Sequence, residues 1–216
     1  MSIYLRQRRY FEEAYRTGEH GWPVEEPSGF VMDFLKQGEF PRGLLRVLDM
    51  GCGEGRHTLL FAREGWQAVG VDYEPLAVKR AKVFAKRKGI RNGFAFVLGD
   101  IFHLPFPSQS FDVLIDYGVL HHVRRSDTQS YLRSVVPLLK PRGYFLLSCF
   151  STRFKHHPGE RRRRNWLVHR GHYDRFFKKS DFFRIFGGDF SVLRLEEERQ
   201  ECYAFYHLLL RKRGHA

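Results

Sequence analysis

Short apolar segments alternate with amphipathic segments through the middle of the chain, and this alternation limits the fold more than any other feature. Each apolar segment has the length of a strand and is followed by a segment with the apolar spacing of a helix. The predicted strands are Arg46 to Met50, Gln67 to Asp72, Phe94 to Leu98, Phe111 to Asp116 and Tyr144 to Phe150. Successive strand–helix units imply a parallel sheet covered on both faces, with right-handed crossovers. The predicted class is therefore α/β, with a doubly wound, Rossmann-like sheet.

Helices are predicted before and within this succession. Apolar residues in helical spacing indicate one helix over residues 2–17 and another over residues 27–37. Between the last two of the five strands, Ser126 and Gln129 have the spacing of a capping box. They predict a helix that ends near Leu139, where a proline and a glycine follow.

The end of the chain predicts a helix over residues 180–186 and strands over residues 190–196 and 202–210. A hairpin places its strands antiparallel, so we expect a seven-stranded sheet, mostly parallel with one reversed terminal strand. We predict one domain over residues 1–216. Its parts are an N-terminal helical lid (1–40), a core that binds the ligand (41–150), a basic insertion or lid (151–179), and a terminal helix with an antiparallel strand pair (180–216).

Basic residues exceed acidic ones, since 37 Lys plus Arg stand against 24 Asp plus Glu and leave a net charge of +13. Residues 151–180 alone hold ten basic and two acidic side chains. Such a surplus attracts polyanions. No apolar run approaches the ~20 residues of a membrane helix, and the N-terminal segment lacks the apolar stretch of a signal peptide. We therefore expect a cytoplasmic protein with no membrane partner.

The loop after the first predicted strand carries three glycines within residues 51–55. It lies at the carboxyl end of a strand, where ligands bind in sheets of this kind. A dinucleotide loop needs G-x-G-x-x-G/A, but Arg56 takes the last position and Gly55 comes one residue early. Asp49 before the loop suits a ligand ammonium group, and Asp72 at the end of the second strand can bind ribose hydroxyls. These residues indicate a cationic nucleoside rather than a pyrophosphate.

With these motifs the chain resembles class I S-adenosylmethionine-dependent methyltransferases, over about Leu44 to Phe150. The motifs that carry the resemblance follow the family's order: Val47 to Gly55, Asp72, Gly99-Asp100, Phe111 to Asp116, and Leu138 to Tyr144. The resemblance implies a methyltransferase with S-adenosyl-L-methionine as its cofactor. The terminal segments more loosely resemble the branch that contains thiopurine and tellurite-resistance methyltransferases, which act on small nucleophiles.

The resemblance also implies which residues contact the cofactor: Asp49, Gly51, Cys52, Gly53, Gly55, Asp72, Tyr73, Asp100, Ile101, Asp116 and Tyr117. Asp49 and the glycine loop are expected to hold the methionine end, and Asp72 the ribose. Asp100 is expected to accept from the adenine amino group, and Asp116 with Tyr117 to edge the pocket near the sulfonium. The alternative role for the carboxylates is to cap helices or solvate loops.

Methyl transfer from a sulfonium needs mainly alignment and exclusion of water, so a general base is optional. The candidate catalytic residues are His121, His122 and Tyr117, which follow or end the fourth strand. Packing or capping is the alternative for both histidines. The residues expected to contact the substrate are Trp22, Tyr173 and His172. We expect a small-molecule acceptor with an oxygen, nitrogen or sulfur nucleophile, and the basic insertion is compatible with an anionic one.

The basic insertion leaves two other functions open. Arg161 to Arg164 lie among aromatic residues, a combination that can contact phosphates and stack on bases. An RNA methyltransferase is one alternative, and a non-enzymatic nucleotide or nucleic-acid binding module is the other. His156, His157, His169 and His172 could form a zinc site, but no acid or thiolate completes a familiar spacing. We therefore predict no metal.

Overall fold

The computed structural model describes residues 2–22, 25–37 and 45–214. Its elements are α1 (Ile3–Thr17), α2 (Gly29–Gln37), β1 (Arg46–Met50), α3 (Arg56–Arg63), β2 (Gln67–Asp72), α4 (Pro75–Arg87), β3 (Phe94–Leu98), β4 (Phe111–Tyr117), α5 (Thr128–Val135), β5 (Leu139–Phe150), β6 (Trp166–His169), β7 (His172–Arg175), α6 (Lys179–Phe186), β8 (Phe190–Gln200) and β9 (Tyr203–Lys212). The main sheet has seven strands in the order β3-β2-β1-β4-β5-β9-β8. Only β9 is reversed, since it pairs antiparallel with both β5 and β8. The predicted fold class is confirmed.

The apolar core lies on both faces of the sheet, and alternate side chains of β4 point to opposite faces. Leu114 packs in a cluster with residues of α5 and α6. Val113 and Ile115 point the other way, into a cluster with residues of α2 and α3. This period of two places every second residue of a strand on the same face. Both faces are therefore covered, and ligands can reach the sheet at the carboxyl ends of its parallel strands. Among the described helices, none is long and apolar enough to cross a membrane.

The segment between β4 and β5 differs from the prediction. The capping box does not form, because Ser126 donates its hydroxyl to Asp127 Oδ1 at 2.9 Å and the helix begins only at Thr128. Strand β5 begins at Leu139, and its pairing with β4 shifts register between Phe111 and Val113. The Pro-x-Gly sequence that follows Leu139 thus lies in an irregularity within the strand pair, where proline and glycine are tolerated.

The basic insertion contains a hairpin that the sequence pattern did not predict. Strands β6 and β7 pair antiparallel around a turn at Arg170 and Gly171, whose φ angles are 46° and 89°. Positive φ at both turn residues is the signature of a tight two-residue hairpin. Phe176 and Phe177, which follow the hairpin, are buried. Ser151 at the end of β5 bridges to Phe177, so the insertion is anchored at the carboxyl edge of the main sheet.

The strand pair at the end of the chain is longer than predicted. Strand β8 continues through the charged residues as far as Gln200, which pairs with Tyr203. The connection is therefore a two-residue turn whose first residue, Glu201, has a φ of 47°. Charged side chains are compatible with this strand because it lies at the edge of the sheet.

Candidate functional site

The glycine loop folds over the end of β2 and is bonded to it. Cys52 donates its backbone N–H to the Val71 carbonyl at 3.0 Å, and Gly53 donates its own to Asp72 Oδ2 at 2.9 Å. Asp72 Oδ1 accepts from the backbone of Glu74 at 2.9 Å. Gly55 completes the loop as the N-cap residue of α3, with a φ of 85°. The structure therefore brings the predicted glycine loop and Asp72 into direct contact.

Two glycines allow other parts of the chain to approach the loop closely. A Cβ on Gly51 would lie 2.3 Å from Val119 Cγ2, and one on Gly53 would lie 2.9 Å from the Tyr15 hydroxyl. Both glycines have positive φ. Tyr15 is a buried residue of α1 that sequence reasoning did not place at this site. Helix α1 and the segment after β4 thus form two walls around the loop.

Asp49 lies beneath the loop, buried at the end of β1. Its Oδ2 accepts from the Thr58 backbone at 3.0 Å and from the Thr58 hydroxyl at 2.6 Å, so it fixes the first turn of α3. Burial raises the pKa of Asp49 to about 6. Burial also raises the pKa of Asp72 to about 6. Both carboxyl groups therefore take part in local structure and remain predictions as ligand contacts.

Tyr73 has a buried hydroxyl that finds no hydrogen-bond partner among the described residues. Arg8 of α1 donates to its backbone carbonyl at 3.2 Å and places its guanidinium 5.4 Å from the ring centre. Buried hydroxyls in folded proteins are normally paired. The unpaired hydroxyl of Tyr73 lies on the residue directly after Asp72, and a polar ligand bound there could form a hydrogen bond with it.

Asp100 and Ile101 follow β3 at the same edge of the sheet. Asp100 is exposed, and its Oδ1 accepts from the backbone of Phe102 at 2.9 Å. Ile101 is partly buried against the core. Asp100 therefore caps the turn, while its second carboxylate oxygen has room to accept from a ligand.

Asp116, which is predicted to edge the pocket near the sulfonium, makes its contacts within the turn that follows β4. It is fully buried, and its carboxylate accepts from the backbones of Val119 and Leu120 at 2.7 Å and 3.0 Å and from the Tyr131 hydroxyl at 2.6 Å. These bonds hold the turn after β4, which includes the Val119 side chain packed on Gly51. The structure thus gives Asp116 a part in shaping the pocket wall, and its direct contact with the cofactor stays a prediction.

Tyr117 and His121, two of the candidate catalytic residues, lie among other side chains near the end of β4. Tyr117 points to the α3 side of the sheet, where the Arg56 guanidinium lies 5.0 Å from its ring centre. His121 is buried and stacks on Phe150, with ring centres 3.7 Å apart. Burial lowers the pKa of His121 well below its usual value, and its Nδ1 accepts from the Phe150 backbone at 3.4 Å. These contacts agree with packing, the alternative that the sequence left open for His121, and a catalytic role for either residue stays a prediction.

The three predicted substrate contacts separate into two groups. Trp22 lies beside α1, with its ring centre 5.6 Å from that of Tyr15. His172 stacks on Tyr10 of α1 at 3.9 Å. The Tyr173 ring lies on the opposite face of the hairpin, next to Trp166 at 5.9 Å. Successive residues of a strand alternate between faces, so His172 and Tyr173 do not point to the same side, and all three substrate contacts stay predictions.

His122 lies under α1, where the buried Gln7 connects it to the hairpin. Gln7 donates its amide to the His122 carbonyl at 3.3 Å, and its Oε1 accepts from the Tyr173 backbone at 3.2 Å. Asp174 lies 3.1 Å from His122 Nδ1. Burial opposes ionisation of Asp174, yet the surrounding imidazoles hold the pKa of this carboxyl well below its usual range. Sequence reasoning missed Gln7 and Asp174, because no local spacing connects either residue to His122.

The sequence profile of a family described as a methyltransferase domain matches residues 42–180. The chain belongs to this methyltransferase family. It is 39% identical over 102 residues to the uncharacterized methyltransferase YcgJ of Bacillus subtilis, covering 47% of this chain and 39% of that protein. It is 28% identical over 147 residues to the 2-heptyl-1-hydroxyquinolin-4(1H)-one methyltransferase of Mycobacteroides abscessus, covering 65% of this chain and 63% of that one. The chain thus spans less than two thirds of either relative.

Among solved structures, a methyltransferase from Burkholderia thailandensis is similar to this chain. It is the 1,6-didemethyltoxoflavin-N1-methyltransferase, with a TM-score of 0.75 at 23% identity, covering 97% of this chain and 88% of that one. At this identity the likeness supports the fold. Family membership and fold confirm the resemblance to class I methyltransferases, while the finer resemblance to the thiopurine and tellurite-resistance branch stays a prediction.

Proposed function

We propose that this methyltransferase moves a methyl group from S-adenosylmethionine to a small planar acceptor. The observation that carries the proposal is the bonded pair of glycine loop and Asp72, with the unpaired Tyr73 hydroxyl beside it. The Burkholderia relative, whose fold this chain shares, holds S-adenosylhomocysteine. The Arg56 that replaces a dinucleotide-loop glycine favours this ligand over NAD.

In this proposal the chain's own residues bind and orient the donor. Asp72 accepts from the ribose hydroxyls through the lone pairs that its two backbone contacts leave free. The glycine loop and Asp49 hold the methionine end, and Asp100 accepts from the adenine amino group. Helix α1 covers the loop through Tyr15 and excludes water from the sulfonium. Alignment of donor and acceptor is then the main catalytic contribution.

The acceptor side of the site is rich in aromatic rings. Phe11 of α1 lies 5.6 Å from Trp22, 6.1 Å from Tyr73 and 5.2 Å from His122, measured between ring centres. Aromatic rings of this kind stack against flat ligands. The hydroxyquinolone and didemethyltoxoflavin in the relatives' names are planar heterocycles. We therefore favour a planar heteroaromatic acceptor with an oxygen, nitrogen or sulfur nucleophile.

A direct test incubates the full chain with radiolabelled S-adenosylmethionine and a panel of hydroxyquinolines, aminopyrimidines, thiols and transfer RNA. We expect label in at least one heterocycle and none in RNA, with a single added methyl group seen by mass spectrometry. Label in RNA alone would overturn the choice of acceptor.

Donor binding is expected to weaken as the pH falls from 7 to 5. Asp49 and Asp72, whose pKa values burial raises to about 6, lose their charge in this range. The contribution of these two groups to the free energy of unfolding should instead increase as the pH falls. A carboxyl group with a raised folded-state pKa contributes stability below its unfolded value, near 4, and loses that contribution as the pH rises through about 6.

Two measurements between pH 5 and 7 check these directions. Calorimetry gives the affinity for S-adenosylhomocysteine, and thermal unfolding gives the stability of the ligand-free protein. Asp72→Asn should flatten the pH dependence that the parent shows. Donor affinity that is constant between pH 5 and 7 would contradict the assignment of these carboxylates.

The structure of the insertion weakens the case for RNA binding. Within Arg161–Arg164, Arg162 pairs with Glu160 at 2.5 Å and covers the ring of Phe176 at 3.5 Å. Phe176 is buried, which leaves Trp166 as an exposed aromatic side chain of this region. Few rings remain on which bases could stack.

Changing Arg161, Arg163 and Arg164 to serine is therefore expected to leave methylation of the small acceptor unchanged and independent of salt. In the parent protein, trypsin cleavage between Arg153 and Arg170 should slow when donor and acceptor are both bound. An RNA-binding segment would instead give steeply salt-dependent RNA affinity, with a log-log slope that falls by about two to three in the triple variant.

A further inference from the structure

We propose that His122, His172 and Asp174 form a binding site for a divalent transition-metal ion, with His156 as a fourth ligand. One ligand atom from each of the first three residues lies within 4.8 Å of the other two. Imidazole nitrogens and carboxylate oxygens are the donors that such ions take from proteins. The sequence predicted no metal because no acid completes a familiar spacing with the histidines. The fold brings Asp174 next to them.

Three imidazoles converge on the carboxylate of Asp174. Asp174 Oδ1 lies 3.1 Å from His122 Nδ1. Its Oδ2 lies 2.9 Å from His156 Nε2 and 3.0 Å from His172 Nε2. Asp174 has no solvent exposure. Three imidazoles around a buried carboxylate form a compact set of donor atoms.

Several polar atoms of this cluster lie close together without hydrogen bonds of regular geometry. Both carboxylate oxygens of Asp174, Nε2 of His156 and Nδ1 of His172 are buried and have no hydrogen-bond partner among the described residues. A buried polar group without a hydrogen-bond partner destabilises a folded protein, and a charged one does so more strongly. A shared cation would satisfy the carboxylate and the imidazole lone pairs together.

The donor set selects the class of ion. Ca²⁺ and Mg²⁺ prefer sites built from oxygen ligands. Imidazoles with one carboxylate instead suit Zn²⁺, Fe²⁺ and Co²⁺. No cysteine belongs to the cluster among the described residues. A zinc or iron(II) ion held by nitrogen and oxygen is therefore the expected occupant.

The ligands come from three separate parts of the chain. His122 lies in a 3-10 turn after β4, His156 lies in the loop after β5, and His172 and Asp174 lie on β7. Tyr10 of α1 stacks on His172 and lies over the cluster. A bound ion would fasten the hairpin to the core beneath α1.

This inference does not depend on the methyl acceptor or on the donor, so we test it with metal alone. Co²⁺ is titrated into the metal-free full chain and followed by its visible absorption, and Zn²⁺ is then added as competitor. We expect one equivalent of Co²⁺ to bind and Zn²⁺ to displace it. Asp174→Asn and His172→Gln should each lose the signal. His157→Gln, an exposed histidine of the same insertion, is the matched control and should keep it.

Circular dichroism and cooperative thermal unfolding report whether each variant is folded. X-ray absorption of the parent protein loaded with Zn²⁺ gives a second readout that needs no variant, with at least two imidazoles expected at about 2.0–2.1 Å and no sulfur. The proposal is wrong if the parent binds no stoichiometric metal, if folded Asp174→Asn binds as the parent does, or if the spectrum lacks imidazole. Failure to bind S-adenosylhomocysteine would count against the proposed function and leave this result unaffected.

Discussion

Replacing Asp72 with alanine is expected to weaken binding of S-adenosylhomocysteine by at least about tenfold, because two charge-assisted hydrogen bonds to ribose are lost, each worth roughly 1.5–3 kcal/mol. The structure adds a second reason. Asp72 also accepts from Gly53 and Glu74, so alanine releases the glycine loop from the end of β2. Asp72→Asn has nearly the same size and keeps one acceptor oxygen. It should bind between the parent and Asp72→Ala.

Calorimetry measures these affinities, and Asp100→Ala is the comparison. Asp100 is exposed and is expected to contact one neutral amino group, so its loss should have the smaller effect. If Asp72→Ala binds as tightly as the parent, the assignment of the end of β2 is wrong.

Replacing Asp116 with alanine is expected to lower the free energy of unfolding by about 3–5 kcal/mol. The change leaves two buried donors, the Leu120 backbone N–H and the Tyr131 hydroxyl, and the part-buried Val119 backbone N–H without their acceptor. Each unpaired donor destabilises by about 1–3 kcal/mol. Urea unfolding gives the value. Tyr131→Phe removes one of these bonds and should have a clearly smaller effect.

The same variant separates two roles for Asp116. As a positioning residue it holds the turn whose Val119 packs on Gly51, so stability and donor affinity should fall together. A variant that unfolds like the parent but no longer binds S-adenosylhomocysteine would restore Asp116 as a direct ligand contact.

The sequence predicted the strands that form as apolar runs in the parallel part of the sheet. The bounds of β1, β2 and β3 agree with the prediction at both ends. Apolar runs between glycine-rich or polar loops leave little choice of register for such strands. The glycine loop and Asp72 also lie together, because β1 and β2 are parallel neighbours whose carboxyl ends are at one edge of the sheet.

Other parts of the site could not be predicted from local pattern. An aspartate at a strand end looks the same whether it faces a ligand, as proposed for Asp72, or satisfies its own turn, as Asp116 does. The hairpin that carries Tyr173 was not predicted because β6 and β7 have four residues each, too few for alternation to be recognised. All four residues of β7 are buried and three of them are polar or charged, so the strand has no apolar period.

Calorimetry of the parent protein with S-adenosylhomocysteine and with NAD shows whether the glycine loop and Asp72 bind the methyl donor. We expect one equivalent of S-adenosylhomocysteine to bind in the micromolar range and NAD not to bind. Binding of NAD with no binding of S-adenosylhomocysteine would contradict this expectation.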